Sequence, residues 1–363
     1  MSTASRSPYR IAVVAGDGIG PEVTDEALRA LEASAELEGF SYEIVTYPWS
    51  AEHYLAHGEV MPDSVLSEYR EMDAILLGAI GDPRVEVGLL ERGIVGGIRW
   101  KLDLYINLRP VKLYSESLCP LKEVRKEDVD MVFVRENTEG LYSQVFGFFR
   151  KGTPDEIATQ EMIHTRMGVE RAVRYAFELA RKRNRSNKVT LVDKANAVRS
   201  MDLWQRTFEE VGTSSYPDIE RDHAYIDAAC MWMVKNPEWF DVAVTENMFG
   251  DIITDLGAMI QGGMGIAASG NIRPEELAMF EPIHGSAPKY AGKGVACPIA
   301  AIAAVQMMLE FLGEANGAAR LEGAVAGALD SGRIPSLSSS SGMPTSRYTD
   351  IVLEELKKTG SPA

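Results

Sequence analysis

Two aspartates four residues apart, Asp251 and Asp255, stand in the run Asn247-Met248-Phe249-Gly250-Asp251-Ile252-Ile253-Thr254-Asp255. On a helix that spacing puts both carboxylates on one face. With no His or Cys beside them, such a pair suits a hard divalent cation, Mg²⁺ or Mn²⁺. The same residues also suit a first helical turn, where the dipole favours acids. Arg99 and Arg109 are ten residues apart, and Arg135 follows a strand-like run. Arginine's planar fork binds carboxylates bidentately, so the three make a candidate clamp for a di- or tricarboxylic acid. Singly, each is equally a surface arginine beside acids. Lys194 ends another strand-like run; it is a base if desolvation lowers its pKa, and otherwise an ordinary solvated lysine. Asp227 starts an apolar helix and could be its cap. The small, rigid run Glu281-Pro282-Ile283-His284-Gly285-Ser286-Ala287-Pro288 can approach a flat ring closely, or be a structured turn with a hydrogen-bonded histidine.

The frame for these residues reads as α/β. Strand-like runs cover Arg10–Ala15, Tyr42–Tyr47, Asp73–Gly78, Val129–Val134, Lys188–Val192 and Asp241–Thr245. They are rich in Val, Ile and Leu and bounded by turn residues. Between them, Glu22–Leu37 carries Val23, Ala27, Ala30 and Leu31 on one stripe, and Gly168–Arg181 carries Val169, Ala172, Val173, Ala176, Phe177 and Ala180. Such alternation predicts a sheet with helices on both faces. The turn Gly16-Asp17-Gly18-Ile19-Gly20-Pro21 lacks the last glycine of a dinucleotide fingerprint, and Pro21 is placed to open a helix. It is a tight strand-to-helix turn or a loop near a cofactor.

Composition sets outer bounds. At ~150 residues per domain, 363 residues suggest two domains or one large one. Lys+Arg number 37 against 53 Asp+Glu, a net charge of −16, so no basic footprint for nucleic acid is present. Any positive charge for an anionic substrate must be local. Cys119, Cys230 and Cys297 form neither a metal spacing nor an even disulfide set, which points to a reducing, cytoplasmic compartment. Met1–Pro8 is polar, without an apolar signal core. The longest apolar run, Ile299–Leu312, is interrupted by Gln306 and Glu310, which leaves it too short for a membrane span. It reads as a buried helix opened by Pro298 and stopped by Gly313.

Taken in order, the motifs Gly16–Glu22, Asn107–Pro110, Arg135–Tyr142, Val192–Asn196, Asn247–Asp255 and Glu281–Pro288 resemble those of the β-decarboxylating dehydrogenases, the isopropylmalate, isocitrate, homoisocitrate and tartrate dehydrogenases. The resemblance runs over nearly the whole chain, and isopropylmalate dehydrogenase is the branch it looks most like. It implies a two-domain α/β sandwich with a cofactor site that is not a Rossmann domain. Residues 1–104 with 262–363 would form a large cofactor domain, and 105–261 a small catalytic and dimerisation domain. It also implies a homodimer with shared active sites, no membrane and no nucleic-acid partner. By the same resemblance, Arg99, Arg109 and Arg135 hold the malate part of a hydroxy-dicarboxylate. Tyr142 protonates the enol left by decarboxylation. Lys194, with Asp227 of the partner subunit, takes the hydroxyl proton. Asp251, Asp255 and that Asp227 bind Mg²⁺ or Mn²⁺. His284, Gly285, Ser286 and Ala287 surround the adenine of NAD or NADP, with Glu281 beside the cofactor.

The chain departs from the family pattern at its specificity positions. Counting back from Arg99, Val95 and Gly96 take the places of the leucine pair of the isopropylmalate branch, and Arg92 takes that of its glutamate. The Gly96-Gly97 pair weakens helix locally. The pocket is therefore either apolar and roomy, or set by Arg92 for an anionic side group. Tartrate or malate, isocitrate and homoisocitrate remain alternatives to isopropylmalate, and a catalytically silent regulatory subunit is the alternative class. Lys289-Tyr290 follows Pro288 where NAD-using members carry an acid, and a cation there suits the 2′-phosphate of NADP.

Overall fold

A computed structural model describes residues 7–359. Most of the polar stretch Met1–Pro8 therefore lies outside the described residues. The strands are β1 (Tyr9–Gly16), β2 (Tyr42–Thr46), β3 (Ala74–Ala79), β4 (Ile106–Lys112), β5 (Asp130–Glu136), β6 (Phe146–Phe149), β7 (Ile157–Gln160), β8 (Lys188–Asp193), β9 (Glu220–Tyr225), β10 (Val242–Thr245), β11 (Ala268–Arg273) and β12 (Leu277–Pro282). The chain divides into two compact units. Among the described residues, the first holds 7–104, 113–122 and 261–359, the second 105–112 and 123–260. Residues 113–122 thus belong with the chain ends rather than with the middle, where the sequence division placed them.

In the first unit the strand order is β2-β1-β3-β12-β11. All pairs are parallel except β11–β12. β3 (Ala-Ile-Leu-Leu-Gly-Ala) is buried at every position, as expected of a parallel strand covered on both faces. Helix Gly20–Glu38 starts with Pro21 in its first turn and stops at Gly39, whose φ of 77° is left-handed. Its Val23, Ala27, Ala30 and Leu31 stripe is buried. Helix Ile299–Phe311 is buried along most of its length and follows Pro298. No helix among the described residues is long and apolar enough to cross a membrane.

In the second unit the order is β4-β5-β10-β8-β9, antiparallel at β4–β5 and parallel elsewhere. Helix Arg166–Arg183 lays its apolar stripe into the core, where Phe177 stacks on Phe208 and Tyr216 at 5.2 and 5.0 Å. Thr165 caps that helix by accepting the Gly168 N–H. β6 and β7 form a separate antiparallel hairpin. β4, β6, β7, β9, β11 and β12 are not among the strands expected from sequence. β9 reads Glu-Arg-Asp-His-Ala-Tyr, an edge strand with little apolar signal, and β4 contains Pro110.

Candidate active site

The second unit gathers Arg109, Arg135, Tyr142, Asp251 and Asp255. Neighbouring strands β4 and β5 present the two arginines. Helix Asn247–Ile260, which follows β10, presents the two aspartates. Arg135 is buried, and its guanidinium is fixed on two sides. Nε and Nη2 donate to Asn247 Oδ1 at 2.9 and 2.7 Å, and Nη1 donates to Asp251 Oδ1 at 2.5 Å. Arg109 Nε donates to Asn107 Oδ1 at 2.7 Å, while its terminal nitrogens lie 3.8 Å from Asp251 and 4.0 Å from Asp255. The Tyr142 hydroxyl donates to Asp251 Oδ2 at 3.1 Å. Burial first, and Asp251 second, push that phenol up to about 12. It is therefore a neutral O–H at ordinary pH, a group able to give a proton.

The helix reaches this position through its first turn. Buried Glu246 accepts the N–H groups of Met248 and Phe249 at 3.0 and 2.6 Å, which satisfies two of the free donors at the helix end. Gly250 lets the helix lie against Arg135, for a Cβ there would stand 2.6 Å from Arg135 Cγ. Asp255 is held above the usual carboxylate range mainly by burial, with Arg109 opposing and Asp251 adding to the shift. Two close oxygen-donor carboxylates on one helical face fit a hard divalent cation. Among the described residues of one chain, no third His, Cys, Asp or Glu joins them to complete a metal cluster.

Lys194 and Asp227 lie together in the same chain. Lys194 follows β8, Asp227 is in the first turn of helix Ile226–Lys235, and Nζ donates to Oδ1 at 2.7 Å. That bond holds the Asp227 carboxyl below its ordinary range. The sequence reading paired Lys194 with Asp227 of a partner subunit. The fold instead brings the two together within one subunit, because β8 and β9 are neighbours in register with Asp193 opposite Tyr225.

Arg99 and Glu281 belong to the first unit and are each other's partners. Arg99 Nη2 donates to Glu281 Oε1 at 2.6 Å, an oxygen that also accepts from Asn271 at 2.8 Å. Arg99 Nε is buried without a hydrogen-bond partner. The run from Ile283 to Pro288 is a tight loop with Ala287 at a φ of 40°. The His284 ring is kept neutral by burial, its Nδ1 lies 3.1 Å from the Gly285 carbonyl, and its buried Nε2 has no partner. Ser286 anchors the loop to the Gly16–Gly20 turn. Its carbonyl accepts the Ile19 N–H at 2.8 Å, and a Cβ on Gly18 would stand 1.9 Å from that oxygen. The first glycine motif is thus a strand-to-helix turn that backs the histidine loop.

The isocitrate/isopropylmalate dehydrogenase family model matches residues 10–352. The chain belongs to the isocitrate/isopropylmalate dehydrogenase family. It is 52% identical to the 3-isopropylmalate dehydrogenase of Thermobifida fusca over 89% of this chain and 91% of that one. With the enzyme of the same name from Mycobacterium tuberculosis it shares 49% identity over 87% and 92%. Among solved structures it is similar to isocitrate dehydrogenase from Methylococcus capsulatus, with a TM-score of 0.84 and 37% identity over 96% and 99% of the chains. It is also similar to a β-decarboxylating dehydrogenase from Thermococcus kodakarensis, with a TM-score of 0.77 and 33% identity over 96% of each. Membership makes this chain an oxidoreductase of the decarboxylating dehydrogenase kind.

The segment where this family member departs from the pattern has its own geometry. Residues Glu91–Gly96 form a π-helical turn that runs into helix Gly97–Lys101. Gly96 is needed there, because a Cβ would meet the Trp100 ring at 2.8 Å. Val95 is partly buried against the apolar cluster that includes Leu90, Ile94 and Ile98. Arg92 is exposed and lies along Gly88. Lys289 is exposed, with its ammonium 4.7 Å from the Tyr290 ring centroid. Several supporting residues were not singled out from sequence: Asn247 and Asn107, which aim the arginines, and Glu246. Asn247 lies inside the acidic motif, so its position was the available signal.

Proposed function

We propose that the protein catalyses the metal-dependent oxidative decarboxylation of a 3-substituted malate, 3-isopropylmalate first, with hydride transfer to NAD or NADP. The observation that carries this reading is the Arg135–Asp251–Tyr142 cluster, where a carboxylate clamp, a metal-type ligand and a protonated phenol share one set of contacts. Identity of about 50% to enzymes named 3-isopropylmalate dehydrogenase supports the substrate.

Arg109 and Arg135 hold a substrate carboxylate by short charge-assisted bonds. Arg99, held by Glu281 within the first unit, keeps a buried Nε without a hydrogen-bond partner. Lys194 accepts the C2 hydroxyl proton as the C2 hydride departs, and Tyr142 gives its proton to C3 once the β-carboxylate has left as CO₂. A bound Mg²⁺ or Mn²⁺ would supply Lewis-acid polarisation of the C2 oxygen, and the nicotinamide would supply the hydride acceptor. Asp251 and Asp255 would hold the metal. The His284 loop, with its orphaned ring nitrogen, would hold the cofactor near Lys289 and Tyr290.

The active form is a homodimer with shared sites. Helix Ile226–Lys235 exposes Met231 and Val234 on the face of Asp227, at i+4 and i+7, and helix Asn247–Ile260 exposes Ile252 and Met259 on the face of Asp255. Joining these apolar faces from two copies would carry Asp227 and Lys194 of one subunit together toward the aspartates of the other. Such exposed patches favour association. Three free cysteines suit a reducing, cytoplasmic setting.

The test is an activity panel with Mg²⁺, NAD and NADP, and four hydroxy acids: 3-isopropylmalate, tartrate, isocitrate and homoisocitrate. Reduced cofactor and CO₂ from 3-isopropylmalate are expected. Preference for another acid would overturn the side-chain assignment, and no turnover on any would leave a silent regulatory subunit.

A further inference from the structure

Asp193 and His223 form a second charged pair beside the Lys194–Asp227 pair. Asp193 is the last residue of β8 and is fully buried. Its Oδ1 accepts hydrogen bonds from His223 Nε2 at 3.0 Å and from the Ala195 N–H at 3.1 Å. One oxygen therefore joins a ring on β9 to the peptide that follows Lys194. The Lys194 carbonyl accepts from Ala197 and Val198 at 2.9 and 2.8 Å, which closes a turn around the lysine. On its other side the His223 ring meets Tyr225 edge to face, with centroids 4.9 Å apart. Lys194 Nζ lies 5.9 Å from the Tyr225 centroid, and Tyr225 immediately precedes the helix that carries Asp227. His223 thus reaches both the backbone and the ammonium of Lys194 through one intermediate group each.

We propose that His223 is a positioning residue for Lys194: its bond to Asp193 holds the turn that aims the lysine amine. This rests on the assignment of Lys194 as proton acceptor. The physical reason is the state of Asp193. Its Oδ2 has no hydrogen-bond partner, so Oδ1 carries both of its bonds. Without His223 the buried carboxylate would keep a single backbone donor, a costly arrangement that favours protonation or reorientation. Either change disturbs the bond to Ala195 and so the lysine turn. Asp193 is the first cause of the raised His223 pKa, with Asp222 and Glu209 adding, and the Gln205 amide lies 3.3 Å from the same ring nitrogen.

His223→Leu removes the donor, whereas His223→Gln keeps an N–H able to reach Asp193. In His223→Leu, kcat should fall by about 10- to 100-fold, the scale of a misplaced catalytic group, with the KM values changing far less. His223→Gln should recover most of kcat. Acylation of Lys194 by an amine-directed reagent, mapped by mass spectrometry, reads the lysine without turnover; its rate should shift in His223→Leu and return in His223→Gln. A purely architectural contact would lower Tm and leave kcat per folded molecule and the acylation rate unchanged, which would overturn the proposal. So would equal loss of kcat in both variants. If the wild type turned over no hydroxy acid while the acylation shift held, only the proton-acceptor assignment would fall.

Discussion

The Tyr142 hydroxyl and the Asp251 carboxylate are bonded at 3.1 Å although 109 residues separate them. The other oxygen of the same carboxylate takes the 2.5 Å bond from Arg135. Acid, metal-type ligand and clamp are therefore coupled in one contact set. Tyr142→Phe removes the proton donor and leaves the arginines in place. Its kcat should fall by ~10²–10⁴, with a much smaller change in KM, as steady-state kinetics would show. Full kcat in this variant would remove the assignment.

Gly250 is the position where helix and clamp touch. Gly250→Ala places a methyl 2.6 Å from Arg135 Cγ, so the buried guanidinium must shift. Overpacking of this kind costs about 1–3 kcal/mol. A lower Tm and a raised KM for the hydroxy acid are expected, measured by thermal unfolding and initial rates.

Asp251 and Asp255 should make activity depend on a divalent cation. Chelation should abolish turnover, and Mg²⁺ or Mn²⁺ should restore it. Asp255→Asn removes one hard charged ligand and should raise the Mg²⁺ concentration for half-activation by about tenfold or more. An unchanged activation curve would move the metal elsewhere.

The exposed pair Met231 and Ile252 provides a separate check on assembly. Charging both, as Met231→Glu with Ile252→Glu, should convert a dimer into a monomer in sedimentation analysis. Turnover should be lost with it, because Lys194 and Asp227 would no longer reach a neighbouring site.

Glu136, buried at the end of β5, gives a pH test of stability. Burial pushes its carboxyl from 4.5 up to about 7, against the opposing bonds from Thr138 and Glu139. Between those values the folded form keeps a proton that the unfolded form has released. Stability should therefore fall as pH rises through that window. Glu136→Gln cannot titrate, so that fall should vanish from its urea midpoints even if the variant is less stable throughout.

Much of the frame was legible in the chain. Six strand-like runs fall on β1, β2, β3, β5, β8 and β10. β3, β5 and β10 are buried almost throughout, and strands covered on both faces must be continuously apolar, whereas β2 is a half-exposed edge strand legible from its Tyr, Ile, Val and Thr. The helix stripes at Val23–Leu31 and Val169–Ala180 are buried for the same reason of period. β9 was hidden because an edge strand tolerates charge, and with it went His223.

Local chemistry belongs to the sequence alone. Asp251 and Asp255 share a face because 3.6 residues make a turn, and Pro21 opens a helix because its missing N–H costs nothing there. Partnership belongs to the tertiary structure. Arg99 meets Glu281 across 182 residues, and Arg135 meets Asp251 across 116. Lys194 and Asp227 sit within one subunit only because β8 and β9 run side by side. Sheet order places strands far apart in the chain next to one another, and no local period encodes that order.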